Sequence, residues 1–165
     1  MDDYGRRIIL DVPFEQAVTE TSKALRAEGF DLVSTIDIRD YLARSAHREC
    51  RRYLLFGALL PQLTLDALRH DPEIGTMLPT AIAIYELPDG ETAVAASPSL
   101  APVACDFGWR AGRPAIAAIA DRGSERLARA LDRLQHISRC ASSEIQIAHA
   151  RTDALPERFA RGPDR

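Results

Sequence analysis

Two side chains with reactive chemistry stand close together near the middle of the chain. His47 precedes Cys50 by three positions, and on a helix the two would face each other as the base and the thiol of a nucleophilic pair. The surrounding segment is densely charged and offers no third residue to orient the histidine. We therefore favour a solvated loop and assign no catalytic residue.

A cluster of arginines occupies the same segment. Arg48, Arg51 and Arg52 carry guanidinium groups, which can bind phosphate or carboxylate through two parallel hydrogen bonds. A solvated edge of a helix or loop is the favoured alternative, because no glycine-rich phosphate loop accompanies these arginines. Anion binding by the three residues is kept as a hypothesis.

The spacing of cysteines and histidines gives no support to metal or redox chemistry. Cys50, Cys105 and Cys140 form no CxxC pair, and the four histidines are scattered along the chain. An odd number of widely spaced cysteines is typical of free thiols in a reducing compartment. The sequence thus predicts no metal, no cofactor and a cytoplasmic location.

Composition and charge narrow the class of protein further. The chain has 165 residues, of which 46% are hydrophobic and 27% charged, enough for one domain with its own core. A formal net charge of −3 disfavours nucleic acid and anionic membranes as partners. No apolar run is long enough to span a bilayer, and the acidic start of the chain lacks the features of a signal peptide.

The elements that must position these residues follow from periodicity and turn chemistry. Helices are predicted at residues 13–28, 37–46, 61–71 and, for about six turns, from 114 onward. Strands are predicted at 7–12, 30–36, 53–59, 80–87 and 92–96, the last two joined as a hairpin by the turn at 88–90.

Two of these strands carry more detailed predictions. In the strand at 30–36, alternation predicts that Phe30, Leu32 and Ile36 share one face. The strand at 53–59 is a nearly continuous apolar run, which is typical of a central strand covered on both faces.

The order β-α-β-α-β-α-β-β-α predicts an α+β protein, a single two-layer domain. We expect a mostly antiparallel sheet with helices packed on one face. The domain is predicted to span residues 6–138, with a loop at 98–113. Residues 139–165 form a C-terminal extension that we expect to be partly disordered.

This order and several short motifs resemble domain-of-unknown-function family number 302, a family of small bacterial and archaeal α+β proteins. The resemblance covers roughly residues 6–137. Its motifs stand at residues 14–18, 28–30, 35–38, 53–61, 67–68, 71–75, 78–79 and 82–86. Each motif is weak alone, and their order and spacing carry the resemblance. It implies a compact two-layer homodimer with no established activity.

The chain departs from the family pattern at two places that bear on chemistry. Many members carry cysteine and asparagine after the third strand and again before the fourth, where this chain has Leu59, Leu60 and Thr80. Leucine and threonine cannot replace a thiolate as nucleophile or metal ligand. Cysteine chemistry is therefore not expected here, and we favour ordinary packing positions.

Three functional interpretations stay open. The first is a non-catalytic protein that binds a small ligand or a partner, with a cleft walled by residues 53–59 and 73–79. The alternative is an enzyme with a pocket between Leu59 and Thr80. The predicted ligand-binding residues are Tyr53, Leu59, His70, Thr80 and Tyr85. A filled gap there would count against the enzyme. The third interpretation is a structural or interaction role through the arginine-rich segment or the long helix, which a contiguous exposed apolar patch would favour.

Overall fold

The computed structural model describes residues 5–48, 50–97 and 113–152, with 139–152 as backbone alone. The predicted element order is confirmed, with one additional 3-10 turn before β4. In chain order the elements are β1 (Arg6–Leu10), α1 (Phe14–Ala27), β2 (Asp31–Asp37), α2 (Ile38–Ala46), β3 (Tyr53–Leu59), α3 (Pro61–His70), the 3-10 turn (Pro72–Met77), β4 (Thr80–Glu86), β5 (Thr92–Ala96) and α4 (Pro114–Thr152).

The strands form one antiparallel sheet in the order β1-β5-β4-β3-β2. β4 and β5 are joined by the predicted hairpin, where the Leu87 N–H donates to the Glu91 carbonyl at 2.8 Å. Gly90 in the turn takes a φ of 90°, which a residue without a Cβ adopts at little cost. The predicted α+β class and antiparallel sheet are confirmed.

Side chains on one side of the sheet form the core together with α1 and α4. Phe56, Ile82 and Ile84 are buried on this core face, and Leu25 of α1 and Leu131 of α4 are buried against them. Burying each such side chain stabilises the fold by roughly 1.5–3 kcal/mol. The helices thus pack on one face of the sheet, as predicted.

The opposite side of the sheet is apolar as well. The prediction that β3 is central is right, because β3 lies between β2 and β4, but the helices cover only one of its faces. Tyr53 and Leu55 lie half-buried on the other side. We call this side the open face. The strand residues that form it are Arg7, Ile9, Asp31, Ser34, Ile36, Tyr53, Leu55, Gly57, Leu59, Ala81, Ala83, Tyr85, Ala93 and Ala95.

β2 differs from its prediction, since Phe30, Leu32 and Ile36 do not share one face. The pairing register of β2 with β3 shifts between Leu32 and Ser34. Such a bulge adds one residue and reverses the alternation that follows it. Leu32 therefore pairs with Ala58 on the core side, whereas Ile36 lies on the open face and is 44% exposed.

α4 runs unbroken through Gly123, and its predicted apolar stripe is buried as far as Leu134. At residue 138 the Ser138 hydroxyl accepts the Asp11 N–H at 2.9 Å, and the helical backbone continues to Thr152. Of the predicted loop at 98–113, residues 98–112 lie outside the described residues. The extension predicted at 139–165 has helical backbone as far as Thr152, and residues 153–165 lie outside the described residues. None of the described helices combines the length and apolarity needed to cross a membrane.

Candidate functional site

A cleft of about 570 Å³ lies where the end of α3 meets the start of α4. Its volume falls within the ~300–1,000 Å³ typical of small-molecule sites. Polar and apolar side chains share its walls. The lining residues are His70, Asp71, Pro72, Glu73, Arg113, Pro114, Ala115 and Ile116.

Prolines shape both walls of the cleft. Pro72 ends α3 because the residue before a proline is pushed out of helical geometry, and Asp71 accordingly takes a φ of −158° and a ψ of 107°. The Asp71 carboxylate then accepts the Glu73 N–H at 2.9 Å and so caps the 3-10 turn. On the other wall Pro114 begins α4, a position where its missing N–H costs nothing.

An ion pair between Asp71 and Arg113 joins the two walls. The Asp71 side chain is only 13% exposed, so its carboxylate is already occupied by Arg113 and the Glu73 N–H. His70 and Glu73 are exposed and offer a donor or acceptor imidazole and an acceptor carboxylate. The cleft can therefore hold a small polar ligand that presents both donors and acceptors.

The cleft offers no serine-like or cysteine-like nucleophile among its described lining residues. Its described lining residues include no hydroxyl or thiol side chain. Across the described parts of the chain, no group of three histidine, cysteine, aspartate or glutamate side chains could hold a metal ion. These walls can supply hydrogen bonds, charge and, through His70 and Glu73, proton transfer.

The predicted pocket between Leu59 and Thr80 is nearly filled. The space there measures about 10 Å³, close to the smallest cavity that holds one water molecule. Thr80 is 4% exposed, and the neighbouring Leu60 and Leu63 are buried beside it. A substrate would enter only if this part of the core opened, which counts against the enzyme alternative.

Comparison with known proteins gives a family and a fold. Residues 7–134 match the family described as "Domain of unknown function DUF302". The chain belongs to this family. A DUF302 protein from Bacillus stearothermophilus, described as an uncharacterized conserved protein, has a crystal structure that matches with a TM-score of 0.68. The two chains are 19% identical in sequence, and the match covers 79% of this chain and 98% of that chain. The likeness shows that they share a fold. No curated protein matches the chain.

In this DUF302 domain the five predicted ligand residues fall in three places. His70 lines the cleft, and Leu59 and Thr80 border the filled gap. Tyr53 and Tyr85 lie on the open face, where their rings stack with centroids 5.4 Å apart and planes 10° from parallel. The structure therefore brings Tyr53 together with Tyr85, and Leu59 together with Thr80. His70 lies apart from them, beside residues that were not predicted as ligands.

Arg52, one of the predicted anion ligands, is engaged within the protein. Its guanidinium donates to Glu86 at 2.6 Å, approaches Glu15 at 3.3 Å and lies 5.0 Å from the centre of the Phe14 ring. The hydrogen bond with Arg52 lowers the pKa of Glu86 and raises that of Arg52 itself. Nearby Arg51 lowers the pKa of Glu86 further.

The other residues of this segment are less constrained. Arg48 and Arg51 are exposed, so anion binding by these two stays a hypothesis. α2 ends at Ala46, and His47 follows it with a positive φ of 49°. Cys50 is a free, half-buried thiol beyond the end of the helix, so no helix aligns it with His47.

A second arginine cluster was missed by sequence reasoning. Glu28, at the end of α1, accepts from Arg129 and Arg133 of α4 at 2.9 Å each, and its side chain is only 10% exposed. Arg126 also donates to the Glu28 carbonyl at 3.0 Å. The hydrogen bond from Arg129 is the largest cause that lowers the pKa of Glu28, and the hydrogen bond from Arg133 lowers it further. The spacing of the arginines by three and four residues was visible, but nothing local pointed to Glu28.

Proposed function

We propose that this DUF302 domain is a non-catalytic protein that binds a small polar ligand in the cleft between α3 and α4. One observation carries the proposal: a volume of about 570 Å³ lined by the exposed His70 and Glu73 beside a fixed ion pair of Asp71 with Arg113. A pre-formed, mixed polar and apolar wall of this kind suits ligand binding. Among the described lining residues there is no hydroxyl or thiol side chain, so a serine-type or cysteine-type reaction finds no support there.

We place the protein in the cytoplasm and propose that it works as a homodimer. The unpaired Cys50 fits a reducing compartment. The enzyme alternative has less support, because the gap between Leu59 and Thr80 measures only about 10 Å³.

Nuclear magnetic resonance of the full-length, ¹⁵N-labelled protein tests the cleft. The probes are small amino acids, dicarboxylates and polyamines, added one class at a time. We expect at least one class to shift the amide signals of residues 70–73 and 113–116. His70→Ala and Glu73→Gln should weaken that response.

Arg69→Ala is the matched control, because Arg69 is an exposed neighbour of His70 that does not line the cleft. It should leave the response unchanged. Shifts that map elsewhere on the protein, or that survive both cleft variants, would overturn the proposed site.

A further inference from the structure

The wall of the cleft that belongs to α3 and the 3-10 turn is negative. Glu73 is exposed there, and its carboxylate has no ion pair with any residue in the described parts of the chain. α3 ends at His70, beside this carboxylate, and the last carbonyl groups of a helix lack donors within the helix. The helix dipole makes the same end negative. This wall therefore favours a cationic group.

The opposite wall, at the start of α4, is positive. Arg113 carries its guanidinium there, and Ala115 and Ile116 belong to the first turn of the helix. The Ala117 N–H donates to the Arg113 carbonyl at 3.1 Å, so the helix supplies no acceptor for the N–H groups of Ala115 and Ile116. The guanidinium and the positive end of the helix dipole favour an anionic group at this wall.

The ion pair of Asp71 with Arg113 connects the two walls and leaves each with a distinct role. Asp71 already accepts from Arg113 and from the Glu73 N–H, so Glu73 is the carboxylate that can accept from a ligand. A guanidinium has five N–H donors and can engage two carboxylates at once, as Arg52 does with Glu15 and Glu86.

We propose that the ligand of the cleft is a zwitterion of the amino acid type. Its ammonium group lies at Glu73, and its carboxylate lies between Arg113 and the first turn of α4. The inference rests on the proposed function and names the class of ligand. A ligand with positive charge alone would meet Arg113, and one with negative charge alone would meet Asp71 and Glu73.

The cleft also has room for a side chain. Its volume of about 570 Å³ exceeds what an ammonium and a carboxylate group need, and Pro72, Pro114 and Ala115 add apolar surface to it. Sites of this size combine apolar walls with a few polar groups that fix the orientation of the ligand. We therefore expect amino acids with uncharged side chains to bind most tightly.

Nuclear magnetic resonance of the full-length, ¹⁵N-labelled protein at neutral pH tests this class, with each common amino acid titrated in turn. Two relatives of the tightest binder follow: the acid that lacks its amino group and the amine that lacks its carboxylate. We expect both relatives to bind about tenfold more weakly, because each leaves one charged wall without a partner.

Glu73→Gln should weaken binding of the amino acid, but it should not weaken binding of the acid that lacks the amino group. That relative has no ammonium group for Glu73 to accept from. Glu125→Gln is the matched control, because Glu125 is an exposed carboxylate on α4 that does not line the cleft. It should change neither affinity.

Two results would overturn the zwitterion and leave the cleft as a binding site. In the first, either relative binds the cleft as tightly as the amino acid does. In the second, a dicarboxylate or a polyamine shifts the amide signals of residues 70–73 and 113–116, and no amino acid does. If none of the three classes shifts these signals, the proposed function fails together with the ligand class.

Discussion

Gly57 is the residue at which a single added carbon has the clearest consequence. A Cβ at this position would lie 2.4 Å from the Ser34 Oγ and 2.7 Å from the Pro79 Cγ. The serine side chain can rotate away, but the proline ring is held by its own backbone. The close packing of β2, β3 and the residue before β4 therefore requires glycine here.

Gly57→Ala should lower the free energy of unfolding by about 1–3 kcal/mol, as overpacking in well-ordered regions does. Urea unfolding at one fixed protein concentration measures it. Gly75→Ala provides the comparison, because its Cβ would meet only the Leu68 Cδ2 at an ordinary 3.6 Å. That variant should change stability by less than about 0.5 kcal/mol. If Gly57→Ala and Gly75→Ala lower the free energy of unfolding equally, the close approach of Ser34 and Pro79 to Gly57 does not explain the effect.

At the scale of elements, α1 and α4 are connected through Glu28 and the arginines around it. The hydrogen bonds from Arg129 and Arg133 hold the pKa of Glu28 below its usual value. A carboxylate whose pKa is lower in the folded state stabilises the fold above its unfolded pKa of ~4.3. That contribution is lost as the pH falls through the folded pKa.

Glu28→Gln should therefore be less stable than wild type at pH 7, and the difference should shrink as the pH falls below about 4. Urea unfolding between pH 7 and pH 3 follows the difference. Glu125→Gln, an exposed site on α4 without an ion pair among the described residues, should match wild type at neutral pH. If the difference in unfolding free energy between Glu28→Gln and wild type stays constant with pH, lost packing and not lost charge explains the destabilisation.

Local signals predicted most elements, and long-range contacts explain what they missed. The helix predicted from residue 37 begins there, with Asp37 as its N-cap, whose carboxylate accepts the Asp40 N–H at 2.9 Å. The helix predicted to end at residue 28 is followed by Gly29, which has a φ of 86°. The bulge in β2 was not predicted, because it depends on pairing with β3 rather than on the sequence of β2 alone.

The candidate site was predicted only in part for the same reason. His70 was predicted as a ligand residue near the end of the helix at 61–71. Arg113 of the same cleft is 42 positions from its partner Asp71, and no local pattern links the two. The remaining predicted ligand residues were chosen for their place on one apolar strand and its neighbour. Residues on adjacent strands share a sheet without sharing a pocket, since alternate side chains point to opposite faces.

At the scale of the whole molecule, the sheet separates the ligand cleft from the open face. The core face holds α1 and α4, and the ligand cleft lies where α3 and α4 meet. A ligand in the cleft would therefore contact α3, the 3-10 turn and α4, and none of the strand residues of the open face.

Native mass spectrometry of the protein purified from its own host tests the central claim most directly, that this is a binding protein. We expect a dimer that retains one small molecule per chain, and we expect Glu73→Gln to lose the small molecule and remain dimeric. A dimer without any small molecule would contradict the ligand cleft, and a monomer that keeps one would contradict the dimer. A bare monomer would contradict both.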